Sequence, residues 1–143
     1  MTDHGYRKTK RSLPIALLRA RERVMEPIRS MLADSGVTEQ KWRVLRVLEE
    51  LGEAEPTLIA TEACLHLPSL SRILKTMEAD GLIIRREDAQ DRRKSSVAIS
   101  PAGRQILTDH KDRSAAIFAE LEARMGREKI EQILDLLEDL QDK

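Results

Sequence analysis

PSLSRILKTMEADGLIIRREDAQDRRKSSVAISPAG, residues 68–103, is the stretch that decides the fold. Its pattern predicts a helix that ends at Asp80-Gly81 and then two strands, 82–84 and 97–100, joined by a charged loop over 85–95. A helix followed directly by a hairpin with arginines at its tip is typical of DNA binding. The helix can enter the major groove, and the tip can reach phosphates or the neighbouring minor groove.

The chain before this stretch predicts two more helices. Thr38 is placed to cap one, which Gly52 ends, and Thr57 is placed to cap a short one over 57–65. The helix of the deciding stretch then starts at Pro68 or Ser69 after a tight turn. Two short helices joined by a few residues form a helix-turn-helix motif.

Long amphipathic helices flank this central part. The first runs from an N-cap at Ser12 to about Asp34, and Pro27 within it predicts a kink or break near Met25 or Glu26. Another begins with Pro101, and Gly126 separates it from the last helix. Their apolar stripes need a cover, which we expect to be a second copy of the chain about a twofold axis. The alternative is that these helices fold back on the central unit.

The sequence therefore predicts a mainly α fold with a small β-hairpin wing. Residues 1–11 are predicted to be a disordered basic tail, and 12–143 a single domain. Within that domain we expect a winged helix-turn-helix over about 37–101 and helical dimerisation regions over about 12–34 and 102–143.

The charges of the 143-residue chain are unevenly distributed, although its formal net charge is zero. Residues 68–104 hold eight Lys or Arg against five acids, whereas the chain from Glu120 onward holds eight acids against four bases. This asymmetry favours one face for DNA and another for a different partner. A single cysteine and no long apolar run predict a cytoplasmic protein without disulfides or membrane spans.

The candidate DNA contacts lie on the helix of the deciding stretch and on the hairpin tip. Leu70, Ile73, Leu74 and Met77 form the predicted buried stripe of that helix, which turns another set of residues outward: Ser69, Ser71, Arg72 and Lys75. Arg72 can bind a guanine edge bidentately. Ser69 could instead be only an N-cap, and Lys75 only a phosphate contact or a solvated charge. At the tip we expect Arg93 to enter a minor groove, with Asp91 holding it and Arg92 beside it. The alternative is a generic charged turn.

A second cluster suggests a small-molecule site. Arg19 and Arg23 lie one turn apart on the first long helix, and Trp42 and Arg46 lie one turn apart on the next. Guanidinium groups beside a tryptophan could receive an aromatic carboxylate by pairing and stacking. The simpler alternative is that these arginines form surface ion pairs with Glu22 and Glu26.

No pattern in the sequence predicts catalysis, a metal site or a cofactor. His4, His66 and His110 are scattered, and no nucleophile with its base or metal-ligand spacing connects them. Cys64 is expected to be a small core residue near the end of a helix. A redox-sensing role would instead require an exposed thiol near positive charge.

Taken together, these motifs resemble the MarR family of bacterial winged helix-turn-helix regulators over nearly the whole chain. The wing DAQDRR (88–93), the strand VAIS (97–100) and PAG (101–103) carry the most specific part of the resemblance. SLPIALLRARERVM (12–25) and TEQKWRVLRVL (38–48) resemble its HpaR branch, associated with repression of homoprotocatechuate degradation genes. One departure is Ile59, where relatives commonly have a polar residue.

The resemblance implies a homodimeric repressor on a pseudo-palindromic operator, released by a phenolic or aromatic-acid effector. It assigns Ser69, Ser71 and Arg72 to the recognition helix and Asp91 and Arg93 to the wing tip. Two other functions stay open at this point: a repressor that senses oxidants through Cys64, and a winged helix that docks proteins without touching DNA.

Overall fold

Residues 5–91 and 94–142 are those that the computed structural model describes, and they hold six α-helices and a small antiparallel sheet. The helices are α1 (Leu13–Leu32), α2 (Glu39–Leu51), α3 (Pro56–Ala63), α4 (Leu67–Ala79), α5 (Pro101–Met125) and α6 (Arg127–Gln141). The strands are β1 (Glu53–Ala54), β2 (Ile83–Glu87) and β3 (Ser95–Ile99). The predicted fold class, mainly α with a β-hairpin wing, is confirmed.

The chain divides into two compact units, and the boundary lies inside α5, between His110 and Lys111. The first unit holds α1 to α4, the sheet and the start of α5; the second holds the rest of α5 and α6. The sequence predicted a single domain over 12–143 instead, and its division into a winged part and dimerisation helices stays a prediction. In the tail predicted to be disordered, Thr9–Arg11 form one turn of 3-10 helix.

The sequence predicted a kink or a break near Met25 or Glu26. Helix α1 runs without a break through Pro27, so the break is wrong and the kink stays a prediction. A proline inside a helix removes one backbone hydrogen bond at a cost of about 3 kcal/mol. The turn after it buries Ile28, Met31 and Leu32 almost completely, and each such side chain contributes about 1.5–3 kcal/mol. This burial offsets the lost hydrogen bond and holds the helix together.

Helix α2 begins and ends at the predicted residues. The Thr38 hydroxyl accepts a hydrogen bond from the Lys41 amide at 3.2 Å, as an N-cap should. Gly52 ends the helix with a φ of 82°, a conformation that costs glycine little. The α2 helix is therefore fixed at both ends by local sequence signals.

The helix-turn-helix differs from the prediction by one or two residues at each helix start. Helix α3 begins at Pro56 with Glu55 as its N-cap, so Thr57 is inside the helix. Helix α4 begins at Leu67, before the predicted start at Pro68 or Ser69. A proline is tolerated in the first helical turn because the amide there has no helical partner. Both prolines lie in such a first turn.

Cys64 is exposed, so its predicted place in the core is wrong. It is the C-cap of α3 and adopts a left-handed backbone conformation with a φ of 55°. The helical periodicity that predicted burial ends at the residue before it. Ala63 takes the core position instead and is fully buried.

The sheet has the strand order β1-β3-β2, and β1 was not predicted. Glu53 pairs with Ala98 and Ala54 with Val97, so this two-residue strand joins the wing to the end of α2. Strand β2 continues to Glu87, beyond its predicted end at residue 84, because its charged residues pair through their backbone with β3. The predicted loop over 85–95 is correspondingly shorter.

The hydrophobic core of the first unit lies between α2, α3, α4 and the sheet. Its fully buried side chains include Leu45, Leu48, Ile59, Leu70 and Leu74. Ile59, the departure from the resemblance, thus serves as a core residue.

The start of α5 packs tightly against Gly81 and Leu82, the two residues between the C-cap of α4 and strand β2. The Ser100 hydroxyl donates to the Gly81 carbonyl at 2.6 Å and accepts from the Gly103 amide at 3.1 Å. A Cβ on Gly103 would clash with the Leu82 carbonyl oxygen. This approach requires glycine. Among the described residues, no helix combines the length and apolar character needed to span a bilayer.

Candidate nucleic-acid interface and effector site

Helix α4 presents one buried and one open face, as its spacing predicted. Leu70, Leu74 and Met77 are fully buried in the core of the first unit, whereas Ile73, the fourth residue of the predicted stripe, is only half-buried against it. Of the predicted contacts, Ser71, Arg72 and Lys75 are exposed and Ser69 is half-buried. We call these four residues the α4 face. Ser69 lies inside the helix, so the alternative that it is the N-cap is wrong; His66 holds that position.

The cations of the α4 face have no ion-pair partner in the described part of the chain. Arg72 and Lys75 form no ion pair with any residue of the described ranges. Surface arginines and lysines with free guanidinium and ammonium groups can bind guanine edges and phosphates without first breaking a bond. The helix is therefore both oriented and chemically available for a polyanion.

The hairpin tip is organised by Asp88, whose role sequence reasoning missed. The Asp88 carboxylate accepts from the Gln90 amide at 2.8 Å, and the Asp88 amide donates to the Lys94 carbonyl at 3.0 Å. An aspartate that binds amides two or three residues ahead is a common turn-former. Asp91 is half-buried at this turn. Arg92 and Arg93, the other predicted wing contacts, lie outside the described residues.

Glu53 of β1 fixes the base of the wing. Its carboxylate accepts a hydrogen bond from the Ser96 hydroxyl at 2.5 Å and faces the Arg86 guanidinium at 3.9 Å. One side chain on β1 thus contacts both strands of the hairpin. The wing is consequently attached to the sheet by side chains as well as by the β1-β3 ladder.

Trp42 and Arg46 of the predicted effector cluster lie together. The Arg46 guanidinium carbon is 5.4 Å from the centre of the Trp42 ring, which is within cation-π range. Trp42 is half-buried against the core, and Arg46 is exposed. A stacked guanidinium beside an indole is suited to a planar carboxylate, since one group pairs with the charge and the other stacks on the ring.

Arg19 and Arg23 are exposed on α1 and are not joined to Trp42 or Arg46 by any ring contact or ion pair in the described part of the chain. Their alternative role, ion pairs with Glu22 and Glu26, does not occur there either. Glu22 instead pairs with Arg29 at 2.8 Å. Glu22 and Arg29 are two helical turns apart, so their side chains lie on the same face of α1.

The charged residues that link α1 to α2 are ones that sequence reasoning did not select. Glu39, in the first turn of α2, pairs with Arg21 at 3.1 Å and faces Arg29 at 3.8 Å. Arg29 also donates to Glu22, and these hydrogen bonds, followed by its charge, lower the pKa of the Glu22 carboxyl from its usual 4.5. Arg21 and Arg29 are eight residues apart, which places them on one face of the helix. This spacing is the sequence signal that could have identified them as a pair.

A cleft of about 500 Å³ opens at the corner between α1 and α2. Arg29 and Glu39 contribute its charged lining, and Leu32 and Val37 part of its apolar lining. No three His, Cys, Asp or Glu residues within 5–91 and 94–142 converge where they could hold a metal ion.

Comparison with known proteins identifies the family. The sequence model of the MarR family matches residues 37–95. The homoprotocatechuate degradative operon repressor of Escherichia coli is 35% identical over 128 residues, which is 90% of this chain and 86% of that protein. The chain belongs to the MarR family. MarR proteins are transcriptional regulators.

Two solved structures of MarR-type regulators are similar to this chain in fold. NadR in complex with 4-hydroxyphenylacetate superposes with a TM-score of 0.81 at 30% identity, covering 94% of this chain and 96% of that one. The repressor CouR bound to a 23-mer DNA duplex superposes with a TM-score of 0.85 at 26% identity, covering 99% of both chains. One relative was thus solved with an aromatic acid and the other with DNA.

Proposed function

We propose that this MarR-family chain is a homodimeric, non-enzymatic transcriptional repressor of aromatic-acid catabolism genes in the cytoplasm. It binds a pseudo-palindromic operator and is released by a small phenolic or aromatic carboxylate. The observation that carries the proposal is the α4 face. Its two cations, Arg72 and Lys75, form no ion pair among the described residues, and Leu70, Leu74 and Met77 on the other side of the helix are fully buried. Two relatives support the proposal. One is the repressor of a homoprotocatechuate operon, and the other was solved with 4-hydroxyphenylacetate.

In this proposal the α4 face reads the major groove. Ser69 and Ser71 are small enough to let the helix backbone approach the bases, and Arg72 binds a guanine edge. Lys75 contacts a phosphate. Arg93 enters a neighbouring minor groove, with Asp91 and Arg92 beside it at the wing tip.

The effector in this proposal binds at Trp42 and Arg46, with Arg19 and Arg23 supplying further positive charge. The ligand's ring stacks on the indole, and its carboxylate pairs with guanidinium groups. The ligand needs to favour a non-binding arrangement of the two recognition helices by only about 1–3 kcal/mol, the usual size of an allosteric coupling.

The DNA half is tested with a duplex selected from a random pool by the wild-type protein. We expect Arg72→Ala to weaken binding at least about tenfold and to relax base preference at one position, as loss of a bidentate base contact does. Arg93→Ala should reduce the salt dependence of binding. Arg127→Ala is the matched control, because Arg127 is an exposed arginine on α6, outside the proposed interface.

Unchanged affinity for Arg72→Ala would remove α4 from the interface. If no duplex were enriched at all, and binding to proteins persisted in high salt, the chain would instead be a docking module.

The effector half can be followed by fluorescence, since Trp42 is the only tryptophan of the chain. We expect 4-hydroxyphenylacetate or a hydroxybenzoate to change Trp42 emission in a saturable way and to release the selected duplex over the same concentrations. Arg46→Gln should weaken this binding, because Arg46 forms the cation-π contact with the Trp42 ring, and Arg43→Gln on the same helix should not. If no aromatic acid both bound and released DNA, the effector half would be lost.

A second candidate function is favoured by the exposure of Cys64. An accessible thiol can be oxidised, and this cysteine lies in the turn just before the recognition helix. Mild peroxide should then weaken operator binding in the wild type, a reducing thiol should restore it, and Cys64→Ala should abolish the response. Equal behaviour of wild type and variant would reject redox sensing.

A further inference from the structure

The first turn of α2 sends three neighbouring side chains to three different parts of the first unit. Glu39 pairs with α1 through Arg21 and Arg29, at 3.1 and 3.8 Å. Lys41 faces Asp80, at the end of α4, with 3.8 Å between the ammonium and the carboxylate. Trp42 packs against the core beneath Arg46. One helical turn therefore contacts the first long helix, the recognition helix and the proposed effector site.

Lys41 is placed to act on the recognition helix. Its side chain is only 16% exposed, so its path from α2 to Asp80 is confined by the surrounding protein. Asp80 is the C-cap of α4, and its amide donates to the Thr76 carbonyl at 2.9 Å. Carbonyl groups at a helix C-terminus carry partial negative charge. The Lys41 ammonium thus faces a carboxylate at the C-terminal end of α4, where positive charge is favourable.

The turn is held as one piece. The Lys41 amide donates to the Thr38 hydroxyl, and the Trp42 amide donates to the Thr38 carbonyl at 2.9 Å. Because adjacent residues of a capped helical turn cannot move independently, a displacement of Trp42 shifts the backbone of Lys41. Helices α2 and α4 also contact each other directly in the core.

We propose that this turn is the junction that couples the effector site to the DNA-reading helix, and that Lys41 is its positioning residue. The inference deepens the proposed function and rests on it. An aromatic acid that moves Trp42 and Arg46 changes the position of the Lys41 ammonium. The C-terminal end of α4, which Lys41 contacts through Asp80, then shifts. This shift changes the angle at which the α4 face meets the groove.

The test compares operator affinity with and without saturating 4-hydroxyphenylacetate, using the selected duplex. The ratio of the two dissociation constants isolates coupling, since a general change of charge affects both equally. An ion pair with one half-exposed partner contributes up to about fivefold to an equilibrium. We therefore expect Lys41→Met and Asp80→Asn each to reduce the ratio about threefold or more.

Glu78→Gln is the matched control for Asp80→Asn. Glu78 is an exposed acid of the same helix end, without an ion pair among the described residues, so both variants remove one negative charge close to DNA. The Glu78 variant should keep the wild-type ratio. The charge-swapped Lys41→Asp with Asp80→Lys should recover most of the coupling, which a merely structural role for Lys41 would not produce.

A ratio that stayed at the wild-type value in both Lys41→Met and Asp80→Asn would overturn the inference. A ratio reduced equally by Glu78→Gln would also overturn it, because the effect would then be one of general charge.

A second measurement needs no effector, and it separates failure of the inference from failure of the proposed effector. Coupling is reciprocal, so binding of the duplex to α4 must be sensed at α2. We expect the duplex to change Trp42 emission in the wild type and in Glu78→Gln, and to change it much less in Asp80→Asn. If the wild type ignored every aromatic acid yet showed this pattern, the effector would be wrong and the junction right. Equal changes in all three proteins would contradict the junction.

Discussion

The two units of this chain differ in how they bury their apolar residues. In the first unit, Leu45, Leu48, Leu70 and Leu74 are fully buried within the chain itself. In the second unit, α6 buries no residue, and Ile133, Leu134, Leu136 and Leu140 are between 42 and 67% exposed. A unit with its own core is stabilised by its own packing. An amphipathic helix with an open stripe is instead suited to a partner, which we propose is the second copy of the homodimer.

The largest expected effect on stability comes from opening a cavity in the hydrophobic core of the first unit. Leu74→Ala removes a fully buried side chain of α4 and should lower the free energy of unfolding by about 2–5 kcal/mol. Chemical denaturation followed by circular dichroism measures this change.

The control in the other unit is Leu136→Ala, because Leu136 is 67% exposed. We expect it to alter stability by no more than about 0.5 kcal/mol when the protein is dilute. Equal losses in both variants would contradict the contrast between the units.

The next prediction concerns the close approach of Gly103 in α5 to Leu82, the residue before β2. Gly103→Ala places a Cβ against the Leu82 carbonyl oxygen, a backbone atom that cannot rotate away as a side chain could. We expect a loss of about 3 kcal/mol by thermal or chemical unfolding, the upper end of the cost of overpacking. Operator binding should fall as well, because the Ser100 hydroxyl joins Gly103 of α5 to Gly81, which directly follows the C-cap of the recognition helix α4.

Gly126→Ala is the matched glycine of the second unit. Nothing lies within 4 Å of its would-be Cβ, and only its φ of 89° opposes a side chain. This strain costs about 1–2 kcal/mol. A Gly126 variant that was destabilised more than the Gly103 variant would show that the approach to Leu82 is less restrictive than the distance indicates.

A smaller effect should appear in assembly. Ile133 and Leu140 are seven residues apart on one face of α6, and replacing both by serine removes apolar area from the open stripe. We expect the dimer dissociation constant to rise at least about tenfold, since each half-buried side chain contributes on the order of 1 kcal/mol. Analytical ultracentrifugation over a range of concentrations measures it.

Leu58→Ser provides the comparison within the first unit. Leu58 of α3 is 44% exposed, similar to Ile133, yet it lies on the unit that buries its own core. The Leu58 variant should dimerise normally. If it dissociated as readily as the α6 variant, the open stripe would not be the dimer interface.

The sequence predicts most of the helices because their signals are local. Helical spacing, the hydroxyl of Thr38 and the glycines at 52 and 126 define element ends without reference to the rest of the fold. The same spacing separated the buried stripe of α4 from its open face. Strand β1 escaped detection because two residues show no alternation, and their pairing with β3 joins positions more than 40 residues apart.

The candidate sites were predictable to the extent that they lie on one element. Trp42 and Arg46 are one turn apart on α2, and their contact follows from that spacing. The pairing of Glu39 with Arg21, or of Lys41 with Asp80, depends on how separate helices pack, which no local pattern specifies. Burial of Cys64 was wrongly expected for a related reason, since the pattern does not show where a helix ends in a left-handed residue.

The smallest expected effect is a dependence of stability on acid that belongs to α1 of the first unit. The hydrogen bonds from Arg29, and then its charge, lower the pKa of Glu22 below 4.5 in the folded chain. The folded state therefore favours the ionised carboxylate. Its contribution to stability is fully present above pH 4.5 and is lost as the pH falls through the lowered pKa. Because Glu22 is exposed, this contribution is small.

Glu22→Gln should thus be slightly less stable than the wild type near neutral pH, and the difference should vanish in strong acid. Melting temperatures measured from pH 7 down to pH 2 test this convergence. Glu49→Gln is the control, because Glu49 is an exposed acid of α2 without an ion pair among the described residues, and its curve should run parallel to that of the wild type. A Glu22 variant that also ran parallel would mean that the pairing with Arg29 does not persist in solution. The link from Arg29 through Glu39 to α2 would then lose one of its supports.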